Sequence, residues 1–168
     1  AGGQLSGTGE LDLSGSTWVL GEEFVKSSGT LTISQTDLKL EGNSTLTSDE
    51  ALSFVNLNLN NFTLTLGSST SDLTVQNAIT IDTSTEGIST GYADLTVEGD
   101  VTLANGKLKS SSGTLIFRSG ATQSGSFEFD LGASDLTVEG DVTLANNGKL
   151  KSDNGTLIFR NGVTQSGS

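Results

Sequence analysis

The stretch DLTVEGDVTLAN stands at residues 94 to 105 and again, unchanged, at residues 135 to 146. The two copies lie 41 residues apart, and each runs on into GTLIFR, at Gly113 and at Gly155, and then into TQSGS, at Thr122 and at Thr164. Half of that period is also present. DLTVEGD and TLIFRSG share the order polar, Leu, any residue, large apolar, charged, turn, so that Leu95/Val97, Leu115/Phe117, Leu136/Val138 and Leu157/Phe159 recur at steps of 20, 21 and 21 residues. A unit of about 20 residues cannot bury an apolar face on its own; it has to stack on its neighbours.

The local pattern says what is stacked. Apolar residues alternate with period two among β-branched and aromatic side chains, and Gly, Asn, Asp and Ser punctuate the runs, which is the signature of short strands joined by turns. Within one unit the pattern predicts strands at 95–98, 101–103 and 107–109, with turns at Gly99, at Asn105-Gly106 and over 110–113. Leu95, Val97, Val101, Leu103 and Leu108 then face inward. The expected fold is all-β: a single-chain parallel β-solenoid (β-helix) of about eight coils of roughly 20 residues, mostly with three short strands per coil. At about 4.8 Å per coil its core would be a rod of roughly 35 to 40 Å.

Outward positions support stacking at this period. After the first strand of each coil the sequence reads Glu98, Arg118, Glu139, Arg160. On the third strand, steps of 21 give Lys107, Glu128, Lys149 and also Lys109, Asp130, Lys151, around an inward file of Leu108, Phe129 and Leu150. Each file alternates in sign, so neighbouring coils attract and a slip of one coil sets like charges together. An exposed pair contributes only about 0.2 to 1 kcal/mol, so the files are expected to fix register more than to supply stability.

A second outward series consists of threonines. Thr102, Thr122, Thr143 and Thr164 occupy the second strand, and the likeness of DLKLEGNSTL to DLTVEGDVTL, with FTLTL and NAITI, extends the series to Thr45, Thr63 and Thr80. Seven coils are thus expected to share one flat, short-chained face. Residues 1–36 fit less well: Trp18 falls where the threonine series is expected, which predicts an irregular or capping coil there. Residues 37–93 read as degenerate coils and 94–168 as two copies of the 41-residue, two-coil repeat, one continuous domain expected to continue or to stack on another subunit beyond Ser168.

Composition narrows the function. The chain has no Cys and no His, which removes thiolate nucleophiles, the usual general base and the commonest metal ligands. Carboxylates alternate with Lys and Arg in repeated positions instead of converging, so no enzyme and no cofactor is expected. The acidic turns Glu98-Gly99-Asp100 and Glu139-Gly140-Asp141 read as solvated turns, since the Gly-Gly-x-Gly-x-Asp repeat of calcium-binding solenoids is missing. Eight Lys and Arg against 20 Asp and Glu leave a net charge of −12, which repels nucleic acid and anionic lipid. No apolar run approaches the roughly 20 residues that span a bilayer, so no membrane insertion of this segment is expected.

In its coil-sized strand-turn repeats and its Ser/Thr/Asn-rich, acidic composition the chain resembles the shafts of bacterial surface proteins, such as filamentous-haemagglutinin-type adhesins and autotransporter passengers. The resemblance implies an extracellular or cell-surface location and a structural role: a repetitive shaft of an adhesin, fibre or surface layer. Two alternatives stand beside it. One is a filament subunit whose partner is itself, stacked end to end or laterally. The other is a solenoid that binds ice, a glycan or another surface ligand through the face of Thr45, Thr63, Thr80, Thr102, Thr122, Thr143 and Thr164.

Overall fold

A computed structural model describes residues 3–145 and 147–166. Asn146, which closes the second copy of the repeat, and the expected continuation past Ser168 lie outside the described residues. Coil one holds β1 (Gly3–Leu5), β2 (Glu10–Asp12) and β3 (Thr17–Leu20), and coil two holds β4 (Glu23–Lys26), β5 (Thr30–Thr32) and β6 (Asp37–Leu40). Coil three follows with β7 (Ser44–Ser48), β8 (Leu52–Phe54) and β9 (Leu57–Asn58). Coil four comprises β10 (Leu64–Leu66), β11 (Leu73–Val75) and the start of β12 (Ile79–Gly91), whose end opens coil five. Coil five adds β13 (Leu95–Val97) and the start of β14 (Val101–Ser110); the end of β14 opens coil six, with β15 (Thr114–Phe117) and β16 (Ala121–Gln123). Coil seven is β17 (Phe127–Asp130), β18 (Asp135–Val138) and β19 (Val142–Ala145), and coil eight is β20 (Lys149–Lys151), β21 (Leu157–Phe159) and β22 (Val163–Ser166). No helix occurs among the described residues, and every strand pair is parallel.

The molecule is a β-solenoid of about eight coils. Its strands fall on three faces. The first strand of each coil builds face A, the second face B and the third face C. On face B, Leu52, Leu73, Leu95, Leu115, Leu136 and Leu157 pair in succession, as do Phe54, Val75, Val97, Phe117, Val138 and Phe159. Stacking like on like builds the narrow interior, and the residues meant to face inward do so: Leu95, Val97, Val101, Leu103 and Leu108 are all at most 1% exposed. Burying an aliphatic side chain contributes about 1.5 to 3 kcal/mol, so these inward files, not the charges, hold the coils together.

Three local features depart from the sequence pattern. First, the third strand of one coil and the first strand of the next are not always separate: β14 is continuous through the bend at Gly106, whose φ is 103°, a conformation that glycine adopts without steric cost. Second, residues 3–40 form two coils in parallel register with each other and with coil three. Trp18 lies opposite Leu38 on face C, inside the stack, and its ring meets Phe24 edge-on at 4.7 Å. It therefore occupies a core file and not the threonine file. Third, inward positions are not all apolar. Gln123 sits between Leu103 and the next coil, 4% exposed, with its amide nitrogen donating to the Phe127 carbonyl at 2.9 Å.

The stack is also interrupted in two places. The ladder of face B stops between β5 and β8, and that of face C between β9 and β12. Coil three is therefore tied to coil four through faces A and B, while their backbone edges on face C are not joined in a ladder.

Candidate functional site

The charge files are where the register places them. Arg118 stands between Glu98 at 3.6 Å and Glu139 at 3.0 Å, the latter with a hydrogen bond from a guanidinium nitrogen. Arg160 occupies the next position of the file, its amide bonded to the carbonyl of Val138, without an ion pair among the described residues. On face A, Lys107, Glu128 and Lys149 are in register, as are Lys109, Asp130 and Lys151. Lys107 meets Glu128 at 3.5 Å, and Lys151 meets Asp130 at 3.2 Å; the Asp130 carboxylate holds the Lys151 amine above the usual lysine range. Lys107 also reaches diagonally to Asp130, at 4.0 Å. The sequence reading missed one member: Glu86 pairs with Lys107 in the ladder and lies 3.9 Å from Lys109. The signal was available, because Glu86 precedes Lys107 by one coil length of 21 residues.

The threonine series does not form one file. Thr80, Thr102, Thr122, Thr143 and Thr164 do align on face C, through five consecutive coils. Upstream, face C carries a separate outward file of Asn58, Lys39 and Val19, which no ladder joins to Thr80. Thr45 instead lies on face A opposite Thr65, in the file that runs Glu23, Thr45, Thr65, Ser89, Lys109, Asp130, Lys151. Thr63 precedes β10; its amide donates to the Asn43 side chain at 2.9 Å, and its hydroxyl donates to the Glu86 carbonyl. The physical reason is that Thr-Leu alternation suits either face equally. Face C consequently carries a single rank of threonines, and its neighbouring rank breaks where Asp82 pairs with Asn105 instead of Ala104.

Four aspartates of the repeated stretch serve the following coil. Asp94 accepts the amide of Thr114 at 2.6 Å and Asp135 that of Thr156 at 2.7 Å. Asp100 accepts the amide of Gly120 at 3.3 Å together with the Ser119 hydroxyl, and Asp141 accepts the amide of Gly162 at 3.2 Å. The Ser119 hydroxyl and the Gly120 amide hold the Asp100 carboxyl below the usual carboxylate range. These turns thus link one coil to the next. At the turn between faces A and B, Lys26 is 3% exposed and its amine meets Asp49 at 2.5 Å and Glu50 at 3.2 Å. The Asp49 carboxylate raises the Lys26 pKa against the opposing effect of burial, and Lys26 in turn lowers that of Asp49.

No group of three or more residues able to hold a metal ion occurs among the described residues, and no described helix is long and apolar enough to cross a membrane. The geometry defines a class, a parallel β-solenoid whose outward polar groups are largely engaged in joining coils. No protein-family model, curated protein or solved structure matches the chain.

Proposed function

We propose that the chain is a non-catalytic, repetitive shaft segment of an extracellular adhesin, fibre or surface-layer protein. The observation that supports this reading is the use of the polar surface. Arg118, Lys107, Lys151, Asp94, Asp100, Asp135 and Asp141 are each spent on a neighbouring coil. Side chains arranged this way stiffen a rod and leave no convergent constellation of the kind chemistry needs. Immunogold labelling of producing cells with an antibody against the chain tests the reading. Label outside the cell envelope supports it, and label confined to the cytoplasm overturns it.

End-to-end assembly of copies is the second reading, favoured by the all-parallel pairing of the coils, since an unpaired strand edge of such a stack is a template for another chain. Electron microscopy of the purified protein separates the cases: filaments support assembly between copies, and discrete particles at high concentration speak against it.

A further inference from the structure

The interruption of face C opens a groove that the shaft role does not use. Where the ladder between β9 and β12 fails, a depression of about 420 Å³ is lined by Asn58, Asn60, Thr80 and Asp82. It runs into a second depression, of about 910 Å³, at the turn from face C to face A, and Asn61 and Asp82 line both. The second depression exists because coil four takes an unusually long path: 24 residues separate the paired Leu64 and Ile88, against 20 between Ile88 and Leu108. The extra length falls at residues 82–87, where the register of β12 against β14 shifts repeatedly.

We infer that this continuous groove binds a neutral oligosaccharide. Its rim is built from planar amide and carboxylate groups held in place by their neighbours. The Asn105 amide donates to Asp82 at 2.9 Å, and the Asn61 side-chain oxygen accepts the Ser84 amide at 2.9 Å, which leaves the Asn61 amide nitrogen to donate. Asn60 and Asn61 both adopt positive φ, 49° and 66°, a conformation uncommon outside glycine. Donors and acceptors at fixed spacing in an open polar cleft match the vicinal hydroxyls of a sugar. Charge selects among glycans: Asp82, Glu86 and Glu128 outnumber Lys107 in the groove, so uronic or sulfated chains are repelled. No aromatic side chain lines either depression, so affinity comes from hydrogen bonds and from repeated contacts along a polymer. The inference is independent of the shaft reading, since a groove can bind wherever the rod is displayed.

Native electrophoresis through gels containing laminarin, galactomannan, xyloglucan or dextran, with polygalacturonate as the acidic comparison, tests it. At least one neutral polymer is expected to retard the protein, and polygalacturonate is not. Asn61→Gly, which keeps the positive φ accessible, combined with Asp82→Ala, is expected to weaken retardation at least tenfold, with circular dichroism and melting unchanged. Should the double variant melt early, Asn61→Gly alone is expected to weaken retardation at least threefold. Tyr92→Ala, on the turn between faces A and B, is expected to bind as the parent does. Absence of retardation in all four neutral gels, stronger retardation by polygalacturonate, unchanged binding by Asn61→Gly, or loss of binding on Tyr92→Ala would each overturn the inference.

Discussion

Reversing the central charge of the Glu98–Arg118–Glu139 file probes whether charge sets the register of the coils. Arg118→Ala removes two pairs, at 3.6 and 3.0 Å. Both are close to half exposed, with side-chain exposures of 45% for Arg118, 44% for Glu98 and 32% for Glu139, so each contributes about 0.2 to 1 kcal/mol. Arg118→Glu loses the same pairs and adds two repulsions between carboxylates stacked about 5 Å apart. In water each repulsion costs about 0.8 kcal/mol, and physiological salt screens it only in part because the Debye length is about 8 Å. The expected costs are therefore about 1 kcal/mol for Arg118→Ala and about 2 to 3 kcal/mol for Arg118→Glu. Urea unfolding followed by circular dichroism measures both, with hydrogen exchange of the β15 and β18 amides to localise the effect, since a solenoid need not unfold in one step. Inverting the whole file, with Glu98→Arg, Arg118→Glu, Glu139→Arg and Arg160→Glu, should restore stability to within about 0.5 kcal/mol of the parent. In 1 M salt the gap between the two single variants should close. Equal costs for Arg118→Ala and Arg118→Glu, or no recovery on inversion, would refute the role given to the file.

Gly140→Ala should cost about 1 to 3 kcal/mol, because a Cβ there would lie 1.9 Å from the Ser119 carbonyl oxygen. Gly162→Ala meets nothing closer than Asp141 at 3.5 Å and should be near neutral; comparable melting of the two variants would contradict the close approach of coils. Removing both acids around Lys26, with Asp49→Asn and Glu50→Gln, should destabilise more than Lys26→Met, since an ammonium only 3% exposed is then left without a counter-charge. The reverse order in thermal melts would refute that. Asp49 and Asp100 have lowered pKa values in the folded chain, so their contribution is complete above the ordinary carboxylate range and is lost as pH falls through the lowered values. Melting temperature should therefore drop below about pH 4, and the drop should be smaller for Asp49→Asn combined with Asp100→Asn. Lys26, raised by Asp49, keeps its contribution throughout the neutral range and loses it only as pH rises past the ordinary lysine value.

How far the sequence carried depended on what the residues report. The inward files and the coil length were legible because Leu95, Leu115, Leu136 and Leu157 are large, apolar and evenly spaced, and sign alternation exposed the files of Arg118 and Glu128. Thr45 was misplaced because a Thr-Leu-Thr run satisfies a strand on any face, and only the length of the preceding turn decides which face it joins. The roles of Asp94 and Asp100 were hidden for a different reason. A backbone amide accepted one coil away leaves no mark in the sequence, and the Ser119 hydroxyl that Asp100 also accepts is replaced by Asn161 in the second copy, so Glu98-Gly99-Asp100 read as a solvated turn although Asp100 ties one coil to the next. The groove on face C was equally illegible, being made by the failure of a ladder and by surplus length at residues 82–87.

Spin-label distances along face C test the account most directly. With no native cysteine in the chain, Val19, Asn58 or Thr80 can each be replaced by Cys together with Thr164→Cys, labelled and measured by pulsed electron resonance. Val19 and Asn58 share one outward file of face C, and Thr80 and Thr164 share another beyond the break in the ladder; lying seven, five and four coils from Thr164, the three sites are expected at backbone separations of about 34, 24 and 19 Å at about 4.8 Å per coil. Narrow distributions that grow in proportion to coil number would bear out a rigid parallel solenoid. Broad distributions, or distances that do not follow the coil count, would contradict it.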